Sequence, residues 1–387
     1  MYSDIEASPR LAFAVDAFTG RGPLLDAVVA AEWSAAPDPL PMLRKAWEAN
    51  AAVEVAEDGS VPLALTSFNV ALLDFGSGVF AKRTPLLAER LPDLLRVVLA
   101  EDVDVVALQE VWTREHTAQW VKAADAAGWA AFHGDRGVST DGLLTLVRKT
   151  AMAGLGDVKA TAYTHQAVGE SDAGVVRGML SVAFKHASSG LRVEVLNTHV
   201  VAWLDQWPGR LAQCVELGRA VAASQADVCL AAGDMNAGLV ALSDEWMDKA
   251  RGAVTGHDVW RGTLAVPALL AAADGDAPGS AILASSVGRT AFDVERTAAV
   301  VQRDASGPPA EPLVSYTHRG NWLVIEQYGV DAEPDQQLDH VILRASNRSA
   351  KVLSSSLCFT EPFTYGSVTT PLSDHYGVRV HMRIGKA

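Results

Sequence analysis

PLSDHYGVRV, Pro371 to Val380, lies a few residues before the end of the 387-residue chain. Tyr376 to Val380 alternate apolar and polar side chains, as a half-buried strand does. Asp374 and His375 stand immediately before that strand. A carboxylate and an imidazole are poor choices for a segment entering a core. Taken alone, the pair reads as a capped turn. It becomes decisive when earlier strands end in the same kind of residue.

Working back toward the N-terminus, strands alternate with helices from Val61 onward. LALTSFNVALL reads as a buried strand interrupted by Asn69. TPLLAERLPDLLRVVLAE reads as a helix, with Thr84 as cap, Pro85 in the first turn and apolar residues at 87, 91, 94, 95 and 98. VDVVALQEV is the next strand and ends in Glu110, with a helix following from Thr113. Shorter strands run through WAAFHG, GLLTLVR and GMLSVAFKH, and then LRVEVLNTHV reaches His199. A helix spans about Gly209 to Ala223. DVCLAAGDMN is a buried strand ending in Asp234 and Asn236, and QLDHVILR carries Asp339. The stretch from about 238 to 330 is poorly patterned. Layered α/β proteins gather strand ends at one rim, so these six polar sites are expected to converge on one cleft.

Residues of these types suit metal-assisted attack of water on a phosphoester. Glu110 and Asp234 offer hard oxygen ligands for Mg²⁺ or Mn²⁺, and Asn69 could add an amide oxygen. His199 and His375 move protons near neutral pH, and Asp374 and Asp339 could orient an imidazole or help hold metal. Each residue has a plainer reading: Asn69 as a bulge residue, Glu110 as a helix cap, GDMNA as an Asx turn, His199 as a satisfied core histidine, LDH as a surface ion pair. All of these readings holding together at successive strand ends is improbable. The sequence has no nucleophile elbow, no Cys/His zinc spacing and no glycine-rich phosphate loop.

Composition narrows the partners. Hydrophobic residues make up 49% and charged residues 20%, as expected of a chain that folds. The net charge of −14 disfavours a nucleic-acid groove, although bound cations can offset an acidic site locally. A phosphoester small molecule or lipid headgroup is the expected partner. No apolar run is long enough to span a bilayer. Three cysteines, an odd number, form no complete disulfide framework and point to the cytoplasm, or to secretion if a leader has been removed. Residues 1–60 read as a mostly helical extension, built on LLDAVVAAEW and PMLRKAWEAN around the proline-rich SAAPDPLP. Residues 61–387 form the second, chemistry-bearing unit.

In order, SFNV, LQEVW, NTHV, GDMN, LDHV and PLSDH resemble the endonuclease/exonuclease/phosphatase superfamily, over roughly residues 61 to 385. That resemblance implies a DNase I-like fold: an α/β sandwich of two sheets in four layers, with helices on both outer faces and the site at one end between the sheets. LQEVWTREHTAQW, VVRGML, NTHVVAWLDQWPGRLAQ and TPLSDHYGV are similar to the neutral sphingomyelinase branch. The resemblance implies a Mg²⁺-dependent phosphodiesterase, with Mn²⁺ as a substitute. Glu110 matches the metal-binding glutamate and Asn69 its neighbouring asparagine. Asp234 and Asn236 match the pair that engages phosphate, metal and water. His375 matches the general base, with Asp374 beside it. His199 matches the histidine that stabilises the transition state or protonates the leaving group, and Asp339 an aspartate supporting the histidines. Arg177, Trp203 and Trp207 are expected to contact substrate. His340 departs from the aromatic residue frequent at its position. A nuclease, a phosphomonoesterase acting on a small biosynthetic metabolite, and a non-catalytic member of the fold are the alternatives.

Overall fold

The computed structural model describes residues 60–74, 83–134, 141–166, 175–202, 206–238, 265–275, 281–284, 321–328, 337–346 and 350–385. The expected extension over residues 1–60, all but its last residue, lies outside them.

Two six-stranded sheets face each other. The first has strand order β11-β14-β1-β2-β4-β3 and contains β1 (Val61–Asn69), β2 (Val105–Gln109), β3 (Trp129–His133), β4 (Leu144–Arg148), β11 (Ala350–Cys358) and β14 (Gly377–Ile384). The second has order β5-β6-β7-β8-β10-β9 and contains β5 (Met152–Ala162), β6 (Gly178–His186), β7 (Arg192–His199), β8 (Val228–Asp234), β9 (Ala281–Leu283) and β10 (Asp339–Ala345). A small hairpin pairs β12 (Phe363–Tyr365) with β13 (Val368–Thr370). The described helices are α1 (Leu87–Leu99), α2 (Arg114–Ala126), α3 (Trp207–Ala223), α4 (Ala265–Asp274) and α5 (Trp322–Tyr328).

Side-chain alternation makes the layers. In β1 and β2, Leu63, Leu65, Val105 and Ala107 point inward and meet Val193, Val195, Val228, Leu230 and Ala232 of the second sheet. The other parity of β1 and β2, with Phe68, Val106 and Leu108, packs under Leu91, Leu94 and Val98 of α1 and Trp120 of α2. On the far side, Cys229 and Ala231 of β8 lie under Leu217 and Val221 of α3 and Leu269 of α4. Central strands are therefore apolar on both faces, as strands covered by helices must be. The expected four-layer sandwich is the observed architecture.

Some elements differ from expectation. Thr84 does not cap α1: the helix begins at Leu87, after Leu86 takes a left-handed φ of 56°, and no side chain caps it. Thr113 does cap α2, its hydroxyl accepting from the His116 N–H at 3.0 Å. The long edge strand β5 escapes the sequence reading, because it carries two glycines, is exposed along most of its length and is bulged twice against β6. All three cysteines are free and buried. Among the described residues, no helix is long and apolar enough to cross a membrane.

Candidate active site

The inward parity that builds the core continues to the strand ends and there turns polar. Along β1 it runs Leu63, Leu65, Ser67, Asn69; along β8, Val228, Leu230, Ala232, Asp234; along β7, Val193, Val195, Asn197, His199. In the second sheet, the parallel β7–β8 ladder sets His199 beside Asp234, and the antiparallel β8–β10 ladder sets Asp339 opposite Asp234. Gly233 makes this row possible. Its φ is 153°, and a Cβ there would lie 1.9 Å from the Thr198 carbonyl oxygen.

The first sheet supplies residues from just beyond its strands. Glu110 follows β2 with φ 64°, a left-handed conformation that costs energy in a non-glycine residue and recurs at functional positions. Asn69 closes β1. Asp374 and His375 lie on the turn entering β14.

Asp234 is the hub. Its Oδ2 accepts from Asn69 Nδ2 at 3.1 Å and lies 3.4 Å from His199 Nε2 and 3.6 Å from His375 Nε2. Its Oδ1 accepts from the Asn236 backbone N–H at 2.8 Å. The Asn236 side chain donates to the Val200 carbonyl at 3.0 Å, fixing the turn after His199. Glu110 Oε1 accepts from Asn69 Nδ2 at 3.0 Å and lies 4.0 Å from His199 Nε2, while Oε2 accepts from Trp112 Nε1 at 3.2 Å.

Of the two acids expected to orient an imidazole or hold metal, Asp339 is the one at His375, whose Nδ1 lies 2.7 Å from Asp339 Oδ2. Asp374 instead lies 3.1 Å from the Ser373 hydroxyl. One expectation is corrected: Asn69 does not present its amide oxygen as a ligand. That oxygen accepts from the Ala71 N–H at 3.0 Å, and the NH₂ end faces the two carboxylates, which an oxygen there would repel.

The electrostatics follow from packing acids and imidazoles out of water. Burial, opposed by His375 and reinforced by Asp339, pushes the Asp234 carboxyl up to about 7. Burial and the negative charge of Asp374 raise Glu110. Burial, with the positive charges of Arg177 and His375, holds His199 well below the usual histidine value, so its ring is neutral at neutral pH. Burial also opposes charge on His375, but Asp339, Asp234 and Asp374 outweigh it and raise that ring well above the usual value. Among the described residues, Asp234, Asp339 and His375 bring ligand-type atoms within 4.8 Å of one another. The donor set suits a hard divalent cation, because Glu110 and Asp374 are oxygen donors and the negative charge of Asp374 disfavours charge on the buried Glu110.

Arg177 is buried, with its guanidinium carbon 5.9 Å from the Trp112 ring centroid, and acts electrostatically on His199. Trp207 opens α3. Trp203 lies outside the described residues. Sequence reasoning missed Trp112, Gln109, Asn197 and Arg90. Gln109 Nε2 donates to Asn197 Oδ1 at 2.8 Å, joining the two sheets directly under the site, and Asn197 Nδ2 donates to the Leu108 carbonyl at 2.9 Å. The signal for this pair was the same inward parity, read one step below Glu110 and His199.

The Endonuclease/Exonuclease/phosphatase family profile matches residues 66–375, and the chain belongs to that family. Its fold is similar to that of TDP2 from D. rerio solved with a single-strand DNA product, at 17% identity and TM-score 0.53, covering 83% of this chain and 98% of that one. It is also similar to an endonuclease/exonuclease/phosphatase from Beutenbergia cavernae, at 15% identity and TM-score 0.51, covering 84% and 72% of the two chains. SmcL gives 13% identity and TM-score 0.51, with 84% and 99% covered. Identities this low establish the fold alone. No curated protein matches the chain.

Proposed function

We propose that the protein is a divalent-cation-dependent phosphodiesterase of sphingomyelinase type, cleaving a diester to an alcohol and a phosphomonoester, with sphingomyelin as the first named substrate. The observation that carries this reading is the hub at Asp234, where two histidines and Asn69, from two strand ends and one turn, meet a single carboxylate oxygen. The sphingomyelinase specificity rests on the similarity of LQEVWTREHTAQW, NTHVVAWLDQWPGRLAQ and TPLSDHYGV to that branch.

Glu110 and Asp374 would hold the cation, with Asp234 at the shared edge. The cation, Mg²⁺ or Mn²⁺, would neutralise these carboxylates and polarise the phosphoryl oxygens. A cation there would offset the part of the field on His375 that comes from Asp234 and Asp374, while the larger part, from Asp339, would remain. Asp339 keeps the His375 Nδ1–H engaged, which leaves Nε2 to take the proton from the attacking water. As the new P–O bond forms, the bond to the leaving alkoxide breaks, and the alkoxide takes its proton from solvent. His199, neutral and with Nε2 facing the carboxylates, offers its N–H to a phosphoryl oxygen or to that alkoxide. Asn69 and Trp112 hold the Glu110 carboxylate in orientation. Arg177, beside Trp112, supplies positive charge for the substrate phosphate.

The test is a panel of sphingomyelin, a chromogenic phosphodiester, its monoester counterpart and plasmid DNA, each with Mg²⁺ and with chelator. Cation-dependent release of phosphocholine supports the full reading. Turnover of the monoester alone, or of DNA alone, replaces it with a phosphatase or a nuclease.

A further inference from the structure

We propose that Arg90 is a positioning residue of this site: its buried guanidinium holds the end of β1 and the Asp374–His375 turn in one frame. The proposal rests on the hydrolase reading above.

Arg90 sits in the first turn of α1 and is fully buried. Its donors go to main-chain carbonyls from three separate segments. Nε and Nη2 both donate to the Leu372 carbonyl, the former at 2.7 Å, just before Ser373-Asp374-His375. Nη2 also donates to Val70 at 2.9 Å and Nη1 to Ala71 at 3.2 Å, just after Asn69. Nη1 reaches Pro85, before α1, at 3.4 Å. A second tie joins the same two segments: the Ser373 hydroxyl donates to the Asn69 carbonyl at 2.7 Å.

A guanidinium buried for stability alone is ordinarily paired with a carboxylate. Among the described residues, Arg90 has neutral carbonyls as its direct partners, and the acids acting on it at longer range are Asp374 and Glu110. Both its fork of donors and its charge are directed at the half of the site built from loops. Lysine could supply the charge there but not the planar fork that reaches three segments at once.

The full-length chain carrying Arg90→Lys, and separately Arg90→Gln, would be compared with wild type for thermal melting, Mn²⁺ binding by calorimetry, and kcat and KM on a chromogenic phosphodiester. Arg90→Lys is expected to fold, to lose about 100-fold in kcat with KM changed less than about threefold, and to bind Mn²⁺ about tenfold more weakly. Arg90→Gln is expected to lose more on both counts. Wild-type kcat and Mn²⁺ affinity in either folded variant overturns the proposal, and so does failure of both variants to fold, which makes the role structural. If wild type hydrolyses no ester but Arg90→Lys still weakens Mn²⁺ binding, the hydrolase reading fails and the positioning role stands. Wild type that neither binds Mn²⁺ nor hydrolyses an ester removes both.

Discussion

The two sheets contribute to the rim in different ways. The second sheet places His199, Asp234 and Asp339 inside its strands, neighbours in the ladder, so backbone pairing alone fixes their spacing. The first sheet places Glu110, Asp374 and His375 beyond its strand ends, and side chains must hold them: Arg90, Ser373, Trp112 and Asn69. One half of the site is as rigid as a sheet, and the other is as rigid as its hydrogen bonds. Under the proposed mechanism, the base His375 and the acids that would hold the cation sit in the half that can adjust, while Asp234 and Asp339 stay fixed by strand pairing.

The contrast can be broken most directly at the shared hub. Asp234→Asn should lower kcat/KM about 10³-fold, as should His375→Ala. Asp234→Asn should melt no lower than wild type, because it removes a buried carboxyl whose ionised form the fold disfavours. More than a tenth of wild-type activity in either variant would exclude the hub as the reacting centre. Gly233→Ala attacks the ladder itself. The added methyl meets the Thr198 carbonyl, and a loss of about 3 kcal/mol or more in urea unfolding is expected. A loss under about 1 kcal/mol would mean that the row is not set by close β7–β8 approach.

Cation binding should sharpen the comparison through pH. Asp234 and Glu110 keep protons in the folded chain at pH values where the unfolded chain has released them. Their protonation supports the fold below the ordinary carboxylate value of 3.8 for Asp234, and that support is lost as pH rises through about 7. A cation must displace these protons, so Mn²⁺ should raise the melting temperature more at pH 8 than at pH 5. An equal shift at both values would place the cation elsewhere. The smallest effect is expected at Ser373→Ala, which removes one tie of the loop-built half. It should cost about 1 kcal/mol of stability and leave Mn²⁺ affinity within about threefold while Arg90 remains.

The sandwich and the convergence of its strand ends were legible because both follow from period-two alternation and from polar residues placed where that alternation stops. Asn69, Glu110, His199, Asp234, Asp339 and His375 all fall where the pattern put them. The residues by themselves left open which of Asp374 and Asp339 faces His375. Asp374 adjoins His375 in sequence, yet the turn points it toward Ser373, and Asp339 arrives from a strand 36 residues away. Sequence adjacency misleads at a turn, where successive side chains diverge. Arg90 was hidden for a related reason. In a helix first turn an arginine reads as a solvated charge, and only the tertiary approach of Leu372 and Val70 turns it inward. Edge strand β5 was hidden because edge strands need not alternate.

The parity shared by core and site carries a genetic consequence. Val228, Leu230, Ala232 and Asp234 lie on one face because each is two positions from the next. Loss of a single codon within β8 would reverse that face, sending Asp234 toward α3 and exchanging the packing of both adjoining layers at once. Such an in-frame deletion should be tolerated less well than any one substitution in the strand, whereas deletions in the exposed, bulged β5 should be absorbed. A deletion scan across the two strands would show sharp intolerance in one and leniency in the other.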